Sequence, residues 1–204
     1  MGDQHIPEGI YQQVKVAYLK TVPIPEHKNK KQFFLCPVGY IGAGKSTVLD
    51  LLCPYFDFVR LSGDEIRRLL REHGYGKAGS GEPQRMLDEV VEKFASEGYN
   101  IAFDSNCGSF RAKEVIEARA KRIGAKTFWI HMDPPEEFIL EKLKKYKHSW
   151  LFRDADHAIS RYFYHKEKTP HAEFNFLFTF DTSKSDLPKQ AERCISLINK
   201  ELEK

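Results

Sequence analysis

Gly39-Tyr40-Ile41-Gly42-Ala43-Gly44-Lys45-Ser46 follows the apolar run Phe33-Phe34-Leu35-Cys36 and opens a helical pattern in which Val48, Leu51 and Leu52 share one face. The spacing G-x-x-x-x-G-K-S is that of a phosphate-binding loop set between a strand and a helix. Glycines at these positions let the backbone turn tightly enough for successive N–H groups to point into one anion-sized nest. That nest sits at the positive end of the following helix. The pattern assigns Lys45 to the β- and γ-phosphates and Ser46 to Mg²⁺, with Gly39, Gly42, Ala43, Gly44 and Thr47 completing the cradle. Binding of a nucleoside triphosphate is therefore the first expectation.

Outward from this loop, short apolar runs alternate with helical periodicity. Pro54 ends the loop's helix, and Phe56 to Leu61 reads as a strand. Ser62-Gly63-Asp64-Glu65 has the form of a capping box, which starts a helix with Ile66, Leu69 and Leu70 inward. Gly74 to Gly81 reads as a glycine-rich loop before a helix from Pro83 to Gly98. Strands follow at Ile101–Asp104, Thr127–Met132 and Phe176–Phe180, separated by helices near Ser109–Gly124, from Pro134, and through Ala158, Ile159, Tyr162 and Phe163. A last helix carries Ala191, Cys194, Ile195, Ile198 and Leu202. Such alternation predicts an α/β fold, a doubly wound parallel sheet of about five strands, with the site at the strands' C-terminal ends. Residues 1–31, with one short helix near Ile10–Leu19, form an N-terminal extension, and residues 32–204 form the domain.

Composition limits the remaining possibilities. A chain of 204 residues, 41% hydrophobic, supports one well-cored domain, and its net charge of +3 selects no polyanionic partner. Cys36, Cys53, Cys107 and Cys194 form no C-x-x-C pair, which suits reduced thiols in a cytosol, and Cys36 and Cys194 read as small core residues. No run approaches the roughly 18 apolar residues of a membrane span, and Asp3, Gln4, His5 and Glu8 do not resemble a signal peptide. These features predict a soluble cytoplasmic protein with no membrane partner. The histidines His148, His157, His165 and His171 lack the spacing of metal ligands.

One chemical signal follows each of the first three strands. Asp64 and Arg67, at i and i+3 on a helix start, project from one face toward the cleft rim. A carboxylate there suits proton removal from an acceptor hydroxyl, and a guanidinium suits an anionic group on that acceptor. The same pair also fits a carboxylate on a helix dipole beside a solvated arginine. Asp104, at the end of an apolar strand, suits Mg²⁺ beside a phosphate loop or, alternatively, the cap of a turn. Lys142, Lys144, Lys145, Lys147, Arg153 and Arg161 gather around Trp150 and Phe152, a segment that reads either as a solvated face or as a helical lid bringing positive charge to the phosphates. No guanine-reading Asn-Lys-x-Asp follows a strand, so ATP is the expected nucleotide.

These residues together resemble the P-loop kinases of the polynucleotide kinase and zeta-toxin-like group, over roughly Gln32 to Ser185. The resemblance rests on the phosphate loop, on Asp64-x-x-Arg67, and on Asp104-Ser105-Asn106 with Arg111 five residues on. It implies Asp64 as general base, with Arg67, Asn106 and Arg111 on the acceptor side. It also implies that Asp181-Thr182-Ser183 is the turn over which adenine lies, with Thr182 and Ser183 contacting the nucleotide. That group's lid offers arginines, whereas this segment is mostly lysine, and Arg153 is the candidate for a lid cation. The expected activity is ATP- and Mg²⁺-dependent phosphoryl transfer to an acceptor hydroxyl, on a 5′-hydroxyl nucleic acid end or a small metabolite. A toxin acting on a nucleotide-sugar shares that chemistry, and an ATP-hydrolysing switch or binding module without an acceptor is the alternative from another class.

Overall fold

The computed structural model describes residues 5–28, 31–76, 81–147, 151–168 and 173–204. Five strands, β1 (Phe33–Val38), β2 (Phe58–Leu61), β3 (Asn100–Phe103), β4 (Lys126–Met132) and β5 (Phe178–Phe180), form one sheet in the order β2-β3-β1-β4-β5. Every pairing is parallel, from Phe34 opposite Ile101 across to Met132 opposite Phe180. All six residues of β1 are buried, as a central strand covered on both faces requires. Phe34, Cys36 and Val38 point into one core and Phe33 and Leu35 into the other, because successive side chains alternate across the sheet. This strand carries the phosphate loop at its C-terminal end, so the loop is anchored in the middle of the molecule.

Helices α1 (Glu8–Thr21), α3 (Gly63–Glu72), α4 (Gly81–Ser96) and α5 (Phe110–Ile123) supply the first core. Helices α2 (Lys45–Leu52), α6 (Glu136–Lys144), α7 (Ala155–Lys168) and α8 (Leu187–Glu203) supply the second. There the Phe33 ring meets Phe56, Phe58 and Phe128 edge-on at 5.5, 5.0 and 5.2 Å. Ser109 caps α5 through a bond from the Ala112 amide, and Gly124 ends that helix in the left-handed conformation. Among the described residues, no helix is long and apolar enough to cross a membrane.

Several local expectations shift. On α2 the inward residues are Val48, Leu49 and Leu52, with Leu51 only half-buried, because the helix tucks under α8 as well as the sheet. The second strand starts at Phe58 rather than Phe56, since a 3₁₀ turn at Cys53–Tyr55 and the positive φ of Asp57, 47°, hold the preceding residues in a bend. The final strand is confined to Phe178–Phe180, although Leu177 already donates its amide to the Trp129 carbonyl at 2.8 Å. Part of the glycine-rich loop, residues 77–80, lies outside the described residues. Cys36 and Cys194 are fully buried, as expected, and all four cysteines are free thiols.

The capping box forms only by half. Ser62 Oγ accepts from the Glu65 amide at 3.4 Å, but the Glu65 carboxylate turns outward to Arg68 instead of reaching back. The Ser62 amide donates to the Tyr18 hydroxyl of α1 at 2.8 Å. Helix α1 is also longer than its apolar pattern predicts, and Ile6, Tyr11, Val14, Tyr18 and Val22 are buried in the same core as α3 and α4.

Candidate active site

The phosphate loop is shaped by two glycines in the left-handed region, Gly42 at φ 82° and Gly44 at φ 94°. At Gly44 a Cβ would stand 3.0 Å from both Oγ1 and Cγ2 of Thr182, so the closeness of the two loops demands glycine as firmly as the backbone angle does. The Ala43 amide donates to the Tyr40 carbonyl at 3.1 Å, tightening the turn, and α2 begins at Lys45. Lys45 folds back over the loop, its Nζ donating to the Gly39 and Tyr40 carbonyls at 2.8 and 3.0 Å. Burial pulls its pKa down to about 8, opposed by the carboxylates of Asp104 and Asp64.

Ser46, exposed at the start of α2, donates its hydroxyl to Asp104 Oδ1 at 2.9 Å. The other oxygen of Asp104 accepts from Arg60, from Nε at 3.0 Å and from Nη2 at 2.7 Å, and Arg60 Nη1 also reaches Asp50 at 2.5 Å. Arg60 stands in the otherwise apolar strand β2, and it fixes one oxygen of Asp104 while leaving the other aimed at Ser46. Sequence reading missed Arg60. A charged residue inside an apolar strand beside a cleft was the available signal. Asn106 Oδ1 accepts from the Gly39 amide at 3.2 Å and from the Gly108 amide at 3.1 Å, so this side chain ties the loop's first residue to the turn after β3.

At the rim, Asp64 and Arg67 lie on one face of α3 and pair at 2.9 Å, each about half exposed. Arg111 is exposed on the first turn of α5. Thr182 Oγ1 donates to the Ala43 carbonyl at 2.8 Å, binding the turn after β5 to the phosphate loop. Asp181 Oδ1 accepts from the Ser183 amide at 3.0 Å, and Gln190, buried in α8, donates to the Asp181 carbonyl and accepts from its amide. Gln190 was not singled out from sequence, because a glutamine amid an amphipathic helix carries no pattern of its own.

The basic and aromatic segment divides. Phe152 is buried in the second core against Tyr146, and Arg153 is exposed just before α7. Residues 148–150, with His148 and Trp150, lie outside the described residues, as does His171. Helix α7 leans on the loop: Tyr162 meets the Tyr40 ring edge-on at 6.0 Å and donates to Glu136 at 2.8 Å. Burial, followed by the positive charges of Arg161 and Lys45, holds the His165 imidazole below its usual range. Arg161 lies 3.0 Å from His165 Nε2 and over the Tyr164 ring.

Residues 35–158 match the family model of an AAA domain. That stretch is well over half the chain and takes in the phosphate loop, Asp64 to Arg67, Asp104 to Arg111 and the start of α7. The chain belongs to this family of P-loop kinases. In fold, this family member is similar to the APS kinase CysC of Mycobacterium tuberculosis, solved in complex with AMPPNP and APS. The TM-score is 0.59 at 16% identity, covering 84% of this chain and 99% of that one. It is similar to a chain of the PezAT chromosomal toxin-antitoxin system of Streptococcus pneumoniae, with a TM-score of 0.62, 17% identity and full coverage of both chains. A gluconokinase from Sinorhizobium meliloti 1021 gives 0.56 at 14% identity over 87% of this chain and 96% of its own. No curated protein matches the sequence.

Proposed function

We propose that this protein is an ATP- and Mg²⁺-dependent kinase that transfers the γ-phosphoryl group to an acceptor hydroxyl, with residues 32–204 as the catalytic domain and residues 1–31 as its extension. The observation that carries the reading is the convergence, at the ends of three adjacent strands, of a lysine-bearing phosphate nest, a hydroxyl–carboxylate pair and a rim carboxylate. A domain that only binds or hydrolyses ATP has no need of the third. The complex of the fold-related APS kinase with AMPPNP, a nucleotide of the ATP type, and with APS supports a nucleotide and a small acceptor in one such cleft.

Ser46 and Asp104 offer two hard oxygen donors 2.9 Å apart beside the nest, the donor chemistry that suits Mg²⁺, which keeps waters and phosphate oxygens in the rest of its shell. When bound, the ion neutralises charge on the β- and γ-phosphates. The loop amides and Lys45 hold the triphosphate, and Gly39, Gly42, Ala43, Gly44 and Thr47 complete its cradle. Thr182 and Ser183 border the base. Asp64 accepts the proton of the acceptor hydroxyl, while Arg67 and Arg111 bind the acceptor's anionic portion and Asn106 keeps the cleft floor in place. Arg153 or Arg161 supplies positive charge from the lid side. Four free thiols suit a cytoplasmic setting.

The test is a transfer screen with labelled ATP against nucleic acid ends, nucleosides and sugars. With the acceptor found, Asp64→Asn should lower transfer by roughly 10²–10⁴ while ATP affinity holds. Arg67→Ala should raise the acceptor KM and spare a neutral acceptor. Phosphate released to water at one rate, with every acceptor and with none, refutes the kinase reading in favour of an ATP-hydrolysing switch.

A further inference from the structure

We infer that Tyr18 of the N-terminal helix is a positioning residue for the acceptor side of the cleft, and that α1 sets where Asp64 and Arg67 stand. The inference rests on the roles given to those two residues above. Helix α1 lies outside residues 35–158, the region matched by the family model, so nothing in that match assigns it a task.

A helix leaves its first amides without intrahelical partners, and a capping box satisfies the N-cap amide with the carboxylate three residues on. In α3 that carboxylate is engaged elsewhere: Glu65 is held by Arg68, whose guanidinium also pairs with Glu72. The Ser62 amide depends instead on the Tyr18 hydroxyl, 2.8 Å away on a side chain only 1% exposed. The neighbouring residue of the same corner is fixed from the other direction, since the Asp104 amide donates to the Leu61 carbonyl at 2.8 Å. The corner between β2 and α3 is thus pinned once to the strand end that carries Asp104 and once to α1. Asp64 lies two residues beyond it. Burial pushes the Tyr18 hydroxyl up to about 12, so it remains a neutral acceptor throughout the working range of a kinase.

Tyr18→Phe keeps the ring in its core position and removes only the acceptor, leaving the half-buried Ser62 amide without its partner. Amide exchange of Ser62 to Ile66 should quicken by about tenfold, the scale of one lost hydrogen bond, while the amides of Gly42 to Ser46 keep their rates. Transfer kcat should fall by about tenfold with ATP affinity unchanged, a split that a general loss of stability does not produce. Arg68→Ala added to Tyr18→Phe frees Glu65 to complete the capping box and should restore both quantities. Unchanged exchange at Ser62 overturns the inference, and so does normal kcat in a protein whose exchange has quickened, or a second substitution that rescues neither. If the unsubstituted protein transfers to no acceptor, the kinase reading fails on that screen, and the exchange measurements still decide whether Tyr18 holds α3.

Discussion

Lys45 allows a prediction in which the proton itself is the probe. In the free protein its pKa stands at about 8 against an ordinary 10.5, with burial the main cause and, among the described residues, the Gly39 and Tyr40 carbonyls as its hydrogen-bond partners. Triphosphate oxygens replacing those carbonyls restore the charged form, so the bound pKa must rise. At pH 9 the free amine is roughly nine-tenths neutral, and binding should take up about 0.9 proton per nucleotide, against about 0.1 at pH 7. Affinity should accordingly weaken by up to about tenfold per pH unit above 8. The linkage to folding has the opposite slope: the unfolded chain binds more protons than the native one between pH 8 and 10.5, so this group's contribution to stability rises with pH across that window. Below pH 8 the buried cation is a standing cost. Calorimetric titration with MgATP at pH 7 and 9, in buffers of differing ionisation enthalpy, measures the uptake directly. Lys45→Arg, charged at every pH, should abolish it. Measurable binding at pH 9 with no proton uptake would show that the amine is already charged in the free loop, and uptake surviving in Lys45→Arg would assign the proton to another group.

Two further substitutions probe the frame around the loop. Gly44→Ala forces a left-handed backbone on alanine and drives its Cβ against Thr182 at 3.0 Å, so fluorescent-nucleotide titration should show affinity reduced at least about tenfold. Gly9→Ala, whose added Cβ meets nothing within 4 Å, should bind normally, and equal behaviour of the two variants would refute the argument. Arg60→Met keeps the side chain's bulk but strips two hydrogen bonds from the largely buried Asp104, and urea denaturation should register a loss of about 1–3 kcal/mol. Asp50 is two-thirds exposed, so Asp50→Ala should cost far less, and equal losses would place the pair's worth on the surface arm instead.

The sequence by itself determined the phosphate loop, the alternation of strands and helices, and the residues at the three strand ends. Each of these depends on local stereochemistry: glycines at fixed spacing, apolar periods of 2 and 3.6, and a carboxylate where an apolar run stops. The parallel sheet and the shared helix face of Asp64 and Arg67 follow from such signals, whereas the ion pair between those two residues was seen only in the structure. Only the tertiary structure decided which groups hold those residues in place. Arg60 reaches Asp104 from a neighbouring strand, Gln190 braces the turn at Asp181 from the last helix, and Tyr18 takes the amide that Glu65 was expected to satisfy. The first joins neighbouring strands, the second a turn to the helix after it and the third a distant helix to a corner, and no local period records any of them. For the same reason Phe152 proved to be core and α7 came to pack its Tyr162 against Tyr40 of the phosphate loop. Which face of a basic, aromatic segment turns inward is set by what it packs against, and composition carries no trace of that choice.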